Sequence, residues 1–429
     1  MAISPSEILS ELASTRPRPT AVAALRAAVH ARRMLLVKSL LVRVDRYDTV
    51  LTPAVRRRFE QDWETLERTE RAAPSAVRDV LDYPMTGAWL TEALAAPAGP
   101  EFESHLAHLS GVSAAAVVRA GCEVDQTLTL PAAVLALPGI GVLNCPSGRA
   151  RLVGRDGRVR VSDGTRSAGV VFSLRGAGGT PVAEPAVSEE VGWSGLRTLP
   201  GGTVVLDDLD PYRVPASGIG PSALPAARRL PSARGLWFDR WRAARTFMSA
   251  ADPARAAEIG DVLRAVVPLA APPQPADGAP VSATLRAAPC AVLTQMPAGG
   301  RELAESLVHE IHHTKLAALN ELLPLCRPDG ATLHQVGWRP DPRPVPAVLQ
   351  GAYAHLALTD LSSRMLGGRV LPSALRRWAA KQFPDYREQV GKALSILRES
   401  DELTSAGREF VHRMVRHHES LGMTARSCV

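Results

Sequence analysis

Residues 306–325, SLVHEIHHTKLAALNELLPL, carry His309-Glu310-x-x-His313 among leucines at helical spacing. Residues four apart on an α-helix lie about 40° apart around the axis and one turn along it. The two imidazoles therefore project toward one point, an arrangement that suits a divalent transition metal. Glu310 lies on the adjacent face, where a carboxylate can act on a metal-bound water or orient a ligand. Leu303, Leu307, Leu316, Leu319 and Leu323 surround the motif, so the helix reads as largely buried. Buried imidazoles and carboxylates need partners, and a metal supplies them.

Two standard ways of completing such a site fail here. The extended pattern HExxHxxGxxH needs glycine at 316 and histidine at 319, and both positions are leucine. Glu321 follows His313 on the same helix, two turns on, too far for the same ion. The next candidate is His355, a lone histidine in the apolar stretch PAVLQGAYAHLALTDL, with Asp360 as the alternative that would make a two-histidine, one-carboxylate set. His312 points about 100° from His313 and reads as a supporting or surface residue. Lys315 falls on the face opposite the ligand pair.

The elements that must position these residues follow from periodicity. Residues 1–135 read as a helical region, with apolar residues at three- and four-residue spacing in TAVAALRAAVHARRMLLVKSLLVRV and PAVRRRFEQDWETLERTERA. Residues 136–212 form a β-rich segment of short β-branched runs between Gly, Asp, Asn and Ser turns. Residues 213–429 form a helical metal-binding region, interrupted by the Pro- and Ala-rich stretch 271–280 and by a strand in VSATLRAAPCAVLTQ. The expected fold is α+β and predominantly helical. A small sheet is expected beside or ahead of the metal helix, holding it against the His355 helix.

Composition bounds the rest. The 429 residues are 46% hydrophobic and 22% charged, a soluble globular balance. The five cysteines are scattered and never in CxxC spacing, which argues against a disulfide scaffold or a thiolate metal site and for a reducing compartment. The N-terminus shows no apolar signal segment, and no run reaches the length of a membrane helix, so a cytoplasmic location with no membrane partner is expected. The net charge of +7 is carried by arginine and would attract an anionic ligand or acidic peptide. No basic cluster is interleaved with aromatics, which make up 4%, so nucleic acid is not an expected partner.

LAESLVHEIHHTKLAAL, GWRPDPRP and LQGAYAHLAL together resemble the HExxH-motif proteins of peptide natural-product gene clusters. DYPMTGAWLTEAL, HLAHLSGVSAAAVVRAG and VVLDDLDPYR extend the resemblance over roughly residues 20–425. The chain departs from the pattern at Gly337, where proline is expected, and at TDLSS after His355. Members of the group look like Fe(II)- and 2-oxoglutarate-dependent hydroxylases of the β-carbon of a residue in a ribosomally made precursor peptide. Some members are fused to, or encoded beside, other peptide-modifying enzymes. The resemblance implies metal ligation by His309, His313 and His355, and a cation for the distal carboxylate of 2-oxoglutarate. Arg343 is the expected anchor, with Arg339 and Arg364 in reserve, because prolines hold WRPDPRP in place and an arginine fork grips both oxygens. Glu310 separates the chemistries. A zinc peptidase trimming a leader would need it as a base, whereas an oxygenase would use it to orient a ligand or substrate. A non-catalytic module that binds peptide by strand addition to the β-rich segment is the third possibility.

Overall fold

Proline opens each of the first six helices, where its fixed φ and missing N–H cost nothing. They are α1 (Pro5–Ala13), α2 (Pro19–Arg46), α3 (Pro53–Ala72), α4 (Pro74–Leu81), α5 (Pro84–Ala95) and α6 (Pro100–Leu106). The computed structural model describes residues 3–426 apart from 17, 48–50, 165–168, 175–180, 184–191, 272–279, 329, 331 and 368–370. The stretch 271–280 thus lies, except for its ends, outside the described residues. Helix α7 (Leu109–Ala120) is built from small residues buried on every side, and it ends at Gly121, whose positive φ of 61° terminates the helix.

The β-rich segment begins earlier than periodicity indicated, at β1 (Val124–Thr129). It continues through β2 (Val134–Leu137), β3 (Gly141–Asn144), β4 (Arg149–Arg155), β5 (Arg158–Asp163), β6 (Gly169–Leu174), β7 (Pro181–Ala183) and β8 (Trp193–Gly195). One antiparallel sheet runs β1-β4-β5-β6-β7 and a smaller one β2-β3-β8. Asp156 and Gly157, both at positive φ, make the two-residue turn between β4 and β5. Alternation along β4 buries Ala150, Leu152 and Gly154 and turns the arginines outward. The buried face joins α3, α4 and α7 in a common core with Leu66, Val80, Val117, Leu152, Val161 and Phe172.

A third sheet crosses position 212, the expected end of the β-rich segment. It is built from β9 (Arg197–Thr198), β10 (Val205–Leu206), β11 (Ala265–Pro268), β12 (Ser282–Leu285) and β13 (Ala288–Thr294). Helices α8 (Ala233–Ala251) and α9 (Pro253–Val262) lie between β10 and β11 in the chain. The order is β12-β13-β11-β10-β9, with β11 parallel to β13 and to β10. The single strand expected in VSATLRAAPCAVLTQ is the β12–β13 hairpin. Then come α10 (Gly300–Leu322), β14 (Leu333–His334), β15 (Arg343–Pro344), α11 (Val345–Gly367), α12 (Ser373–Glu399) and α13 (Ser405–Arg426). The chain is mostly helical α+β.

Helix α10 carries the HExxH motif and α11 carries His355. They pack directly on one another, through Leu316, Leu319, Tyr353 and Leu356 in one core and Leu307, Val308, Ile311 and Ala357 in the next. The sheet supports α10 from one side and does not separate the pair. Leu9 and Leu12 of α1 share the first of these cores with Phe410 and Met414 of α13, so the first helix belongs with the last ones. Among the described residues no helix is long and apolar enough to cross a membrane.

Candidate metal centre

His309 and His313 bring their Nε2 atoms to 3.0 Å, with the rings edge to face. His313 Nδ1–H donates to Gln350 Oε1 at 3.0 Å, which turns its Nε2 lone pair toward His309. Burial and the adjacent rings of His313 and His355 hold the His309 imidazole well below the usual histidine range. Two imidazole nitrogens facing at this distance need a proton or a cation between their lone pairs. Two nitrogens bound at right angles to one ion at about 2.1 Å would stand about 3 Å apart, which is the separation found here.

The ring of His355 stands against His309, with centroids 5.1 Å apart and planes at 90°. Its Nδ1–H donates to the Gly351 carbonyl at 2.9 Å, leaving Nε2 free. Burial pushes this imidazole down to about 4, so it too is neutral at ordinary pH. All three rings are half-buried among buried neighbours. Among the described residues no group of three or more His, Cys, Asp or Glu side chains is drawn together as a finished metal site. The HExxH pair converges, and the third ring adjoins it without closing a shell.

Glu310 does not hang free. Its Oε1 accepts from Ser282 Oγ on β12 at 2.7 Å, its carbonyl accepts from Thr284 Oγ1 at 3.1 Å, and burial raises its carboxyl pKa. Trp338 stacks on His355 at 4.5 Å and 16°, which gives GWRPDPRP a role that its arginines do not have. Arg339 and Arg343 both pair with Asp341, at 3.1 and 3.0 Å, and are not brought to the imidazoles. Arg343 heads α11, and His355 lies ten residues beyond the first residue of that helix, about 15 Å along the axis. An open groove of about 660 Å³, lined by Gln335, Val336, Trp338, Arg339, Pro340 and Lys392, lies along this segment.

The motif helix itself opens with a cation that sequence reading passed over. Arg301, Glu305, His309 and His313 follow one another at four-residue spacing and share a stripe of α10. Arg301 holds Glu305 through both carboxylate oxygens at 2.8 and 3.0 Å and stacks over Trp378 at 4.3 Å. Burial pushes the Glu305 carboxyl up to about 7, against the pull of Arg301. Tyr386 of α12 presents its ring edge to His355 at 6.3 Å. The four-residue repeat was the available signal; it extends N-terminally through the residues that open the helix.

The remaining candidates lie on the far side of α10. Asp360, the alternative ligand, is bound by Arg255 at 2.9 Å and paired with Arg16 at 2.9 Å, and is not available to the centre. Arg364 reaches the same cluster, 3.5 Å from Asp360. His312 is buried rather than on the surface, and Lys315 is buried opposite the ligand pair, bonded to Glu258 at 2.6 Å. Glu321 is held by Arg286 at 2.7 Å, away from the centre. No protein-family model and no curated protein matches the chain.

Proposed function

We propose that the chain is an Fe(II)- and 2-oxoglutarate-dependent oxygenase that hydroxylates the β-carbon of a residue in a ribosomally made precursor peptide. The observation that carries this reading is the pair of imidazoles whose Nε2 atoms face at 3.0 Å, with a third imidazole against them. His309, His313 and His355 would hold the ion on one face and leave its other face to ligands. When bound, iron and the keto acid supply the O₂ activation that hydroxylation of an unactivated C–H bond requires.

The chain's own residues bind and orient. Gln350 fixes the tautomer of His313, and Trp338 restrains the plane of His355. Arg301 is the cation on the ligand stripe and takes the distal carboxylate of 2-oxoglutarate in place of Arg343. Glu305, with its pKa near 7, can yield the guanidinium by taking up a proton. Glu310, buried and held by Ser282 at Oε1, ties β12 to α10, the orienting role that an oxygenase leaves to it. Strand β12 stands at the edge of its sheet beside Glu310, so an extended peptide can add to it there under either chemistry. Other peptide-modifying enzymes that act on the same precursor are the partners this reading implies.

Loading purified protein with Fe(II) and 2-oxoglutarate without oxygen should produce a visible charge-transfer band. Admitting O₂ should then form succinate. Both should vanish in His309→Ala and in His355→Ala. Oxygen-independent cleavage of an unstructured peptide by the zinc-loaded protein, with no succinate from the iron form, would replace this reading with the peptidase.

A further inference from the structure

Behind α10, away from the imidazoles, lies a buried cluster of charges. Arg16, Arg255 and Lys315, with the half-exposed Arg364 at the edge, face Asp252, Asp360 and Glu258. Arg255, on α9, is its centre and its side chain is fully buried. One branch of its guanidinium, Nη2, donates to Asp360 Oδ2 on α11 at 2.9 Å. The other, Nη1, lies 3.2 Å from His312 Nε2 on α10. His312 Nδ1–H donates to the Val308 carbonyl, so Nε2 is the acceptor, and Lys315 Nζ donates to it as well at 2.9 Å. A single planar fork thus touches both helices that carry the imidazoles: one residue before His313 on α10, and five residues after His355 on α11.

The fork is seated from a third direction by the N-terminus. Thr15 stands at φ 61°, a left-handed conformation that a β-branched residue adopts only when its surroundings impose it. In that conformation its Oγ1 donates to Asp360 at 3.2 Å and accepts from Arg255 Nη2 at 3.1 Å. Its carbonyl accepts from Arg255 and from Lys315, each at 3.4 Å. Tyr353, two residues before His355, donates to the Leu12 carbonyl at 2.8 Å.

We infer that Arg255, seated by Thr15 and Asp252, is a positioning residue for the metal centre: it sets the register of α11 against α10 and so the approach of His355 to the His309–His313 pair. Apolar contact between two helices leaves their sliding weakly determined. A bidentate fork with fixed partners on each permits only one register. A buried ion cluster is a poor source of stability compared with an apolar core, and its best-attested use is such specification. The inference rests on the metal reading of the three imidazoles.

Cobalt(II) is the probe, titrated into the metal-free full chain and read by its visible ligand-field spectrum. The wild type should bind it, and His355→Ala should weaken binding and change the spectrum. The double variant Arg255→Met, Asp360→Leu replaces the interhelical pair with apolar groups of similar size and should unfold cooperatively on heating. It should nonetheless bind cobalt about 10–100-fold more weakly, with the spectrum of His355→Ala, and adding His355→Ala to it should cost little more. Arg255→Lys, which keeps the charge but cannot span both helices, should show the same spectral change in milder form, and serves if the double variant does not fold. A folded variant with wild-type affinity and spectrum, or losses that multiply with His355→Ala, would overturn the clamp and leave the metal site standing. Failure of the wild type itself to bind cobalt would overturn the metal reading and the clamp with it.

Discussion

Burial keeps several histidines of this chain neutral, His108, His309 and His355 among them, and that decides how each answers to pH. His108 packs against Trp89 and Tyr212, and burial, with His105 adding to it, pushes its pKa down to about 3 from 6.5. The unfolded chain takes up a proton near pH 6.5 and the folded chain does not until about pH 3. Its contribution is therefore fully present above 6.5 and is lost as the pH falls toward 3, at a limiting slope of about 1.4 kcal/mol per unit. His108→Leu should flatten that part of the pH–stability curve, as followed by urea unfolding between pH 7 and 4. Asp62 shows the opposite sign. Burial raises its carboxyl to about 7 from 3.8 while Ser110 donates to it. Its contribution is complete below 3.8 and lost as the pH rises through 7, so Asp62→Asn should show no gain over wild type below pH 3.8 and a gain that grows from there to pH 7 and is fully present at pH 8. At the centre, Gln350→Leu removes the acceptor of His313 Nδ1–H and should weaken cobalt(II) binding about 10–100-fold with little change in Tm.

At the scale of elements, the site depends on close approaches that only glycine allows. Gly351 of α11 faces Trp338, and a methyl group there would meet the indole at 2.6 Å. Gly351→Ala should push Trp338 off His355, costing about 1–3 kcal/mol and lowering metal affinity, which thermal unfolding and cobalt titration would show. Gly300 opens α10 where α8 crosses it, and a Cβ would lie 2.6 Å from the backbone carbon of Ala243. Backbone cannot turn aside as a side chain can, so Gly300→Ala should destabilise at least as much while leaving the Trp338 environment, read by its fluorescence, unchanged. On the proposed reading, the four-residue repeat Arg301–Glu305–His309–His313 makes one helix the carrier of two metal ligands, an acid and the cation that acid holds. Arg301→Leu should therefore raise the KM for 2-oxoglutarate more than tenfold with a smaller effect on cobalt(II) affinity, whereas Arg343→Leu should change neither. Equal effects of the two substitutions would return the role to GWRPDPRP.

Across the whole molecule, the ends of the chain complete the region that holds the centre. Ile8, Leu9 and Leu12 are buried with Phe410 and Met414, and the turn after α1 feeds Thr15 and Arg16 into the charge cluster. Deleting residues 1–13 should remove upwards of about 4 kcal/mol of apolar burial, seen as a lower Tm and as faster amide exchange in α10 and α11. Several features could be read from local rules alone. His309 and His313 share a helix face because four residues make roughly one turn, β4 and β5 turn at Asp-Gly because that pair accepts positive φ, and α3 is amphipathic because its period is near 3.6. Lys315 was placed opposite the ligands by the same arithmetic. Long-range contact decided the rest. A lone histidine and a lone aspartate in one apolar helix stood as first candidate and alternative. Packing turned His355 toward His309 and gave Asp360 to Arg255, since charge pairing between residues 105 apart leaves no trace in periodicity. Arg343 looked held in place because prolines flank it, and the structure pairs it with Asp341, two residues away, a partner that periodicity does not reveal. Sequence determined the helices and the chemistry they can carry, because those follow from spacing and side-chain type. Only the tertiary structure decided which side chains meet, because that depends on how separate elements cross and which charges they bury together.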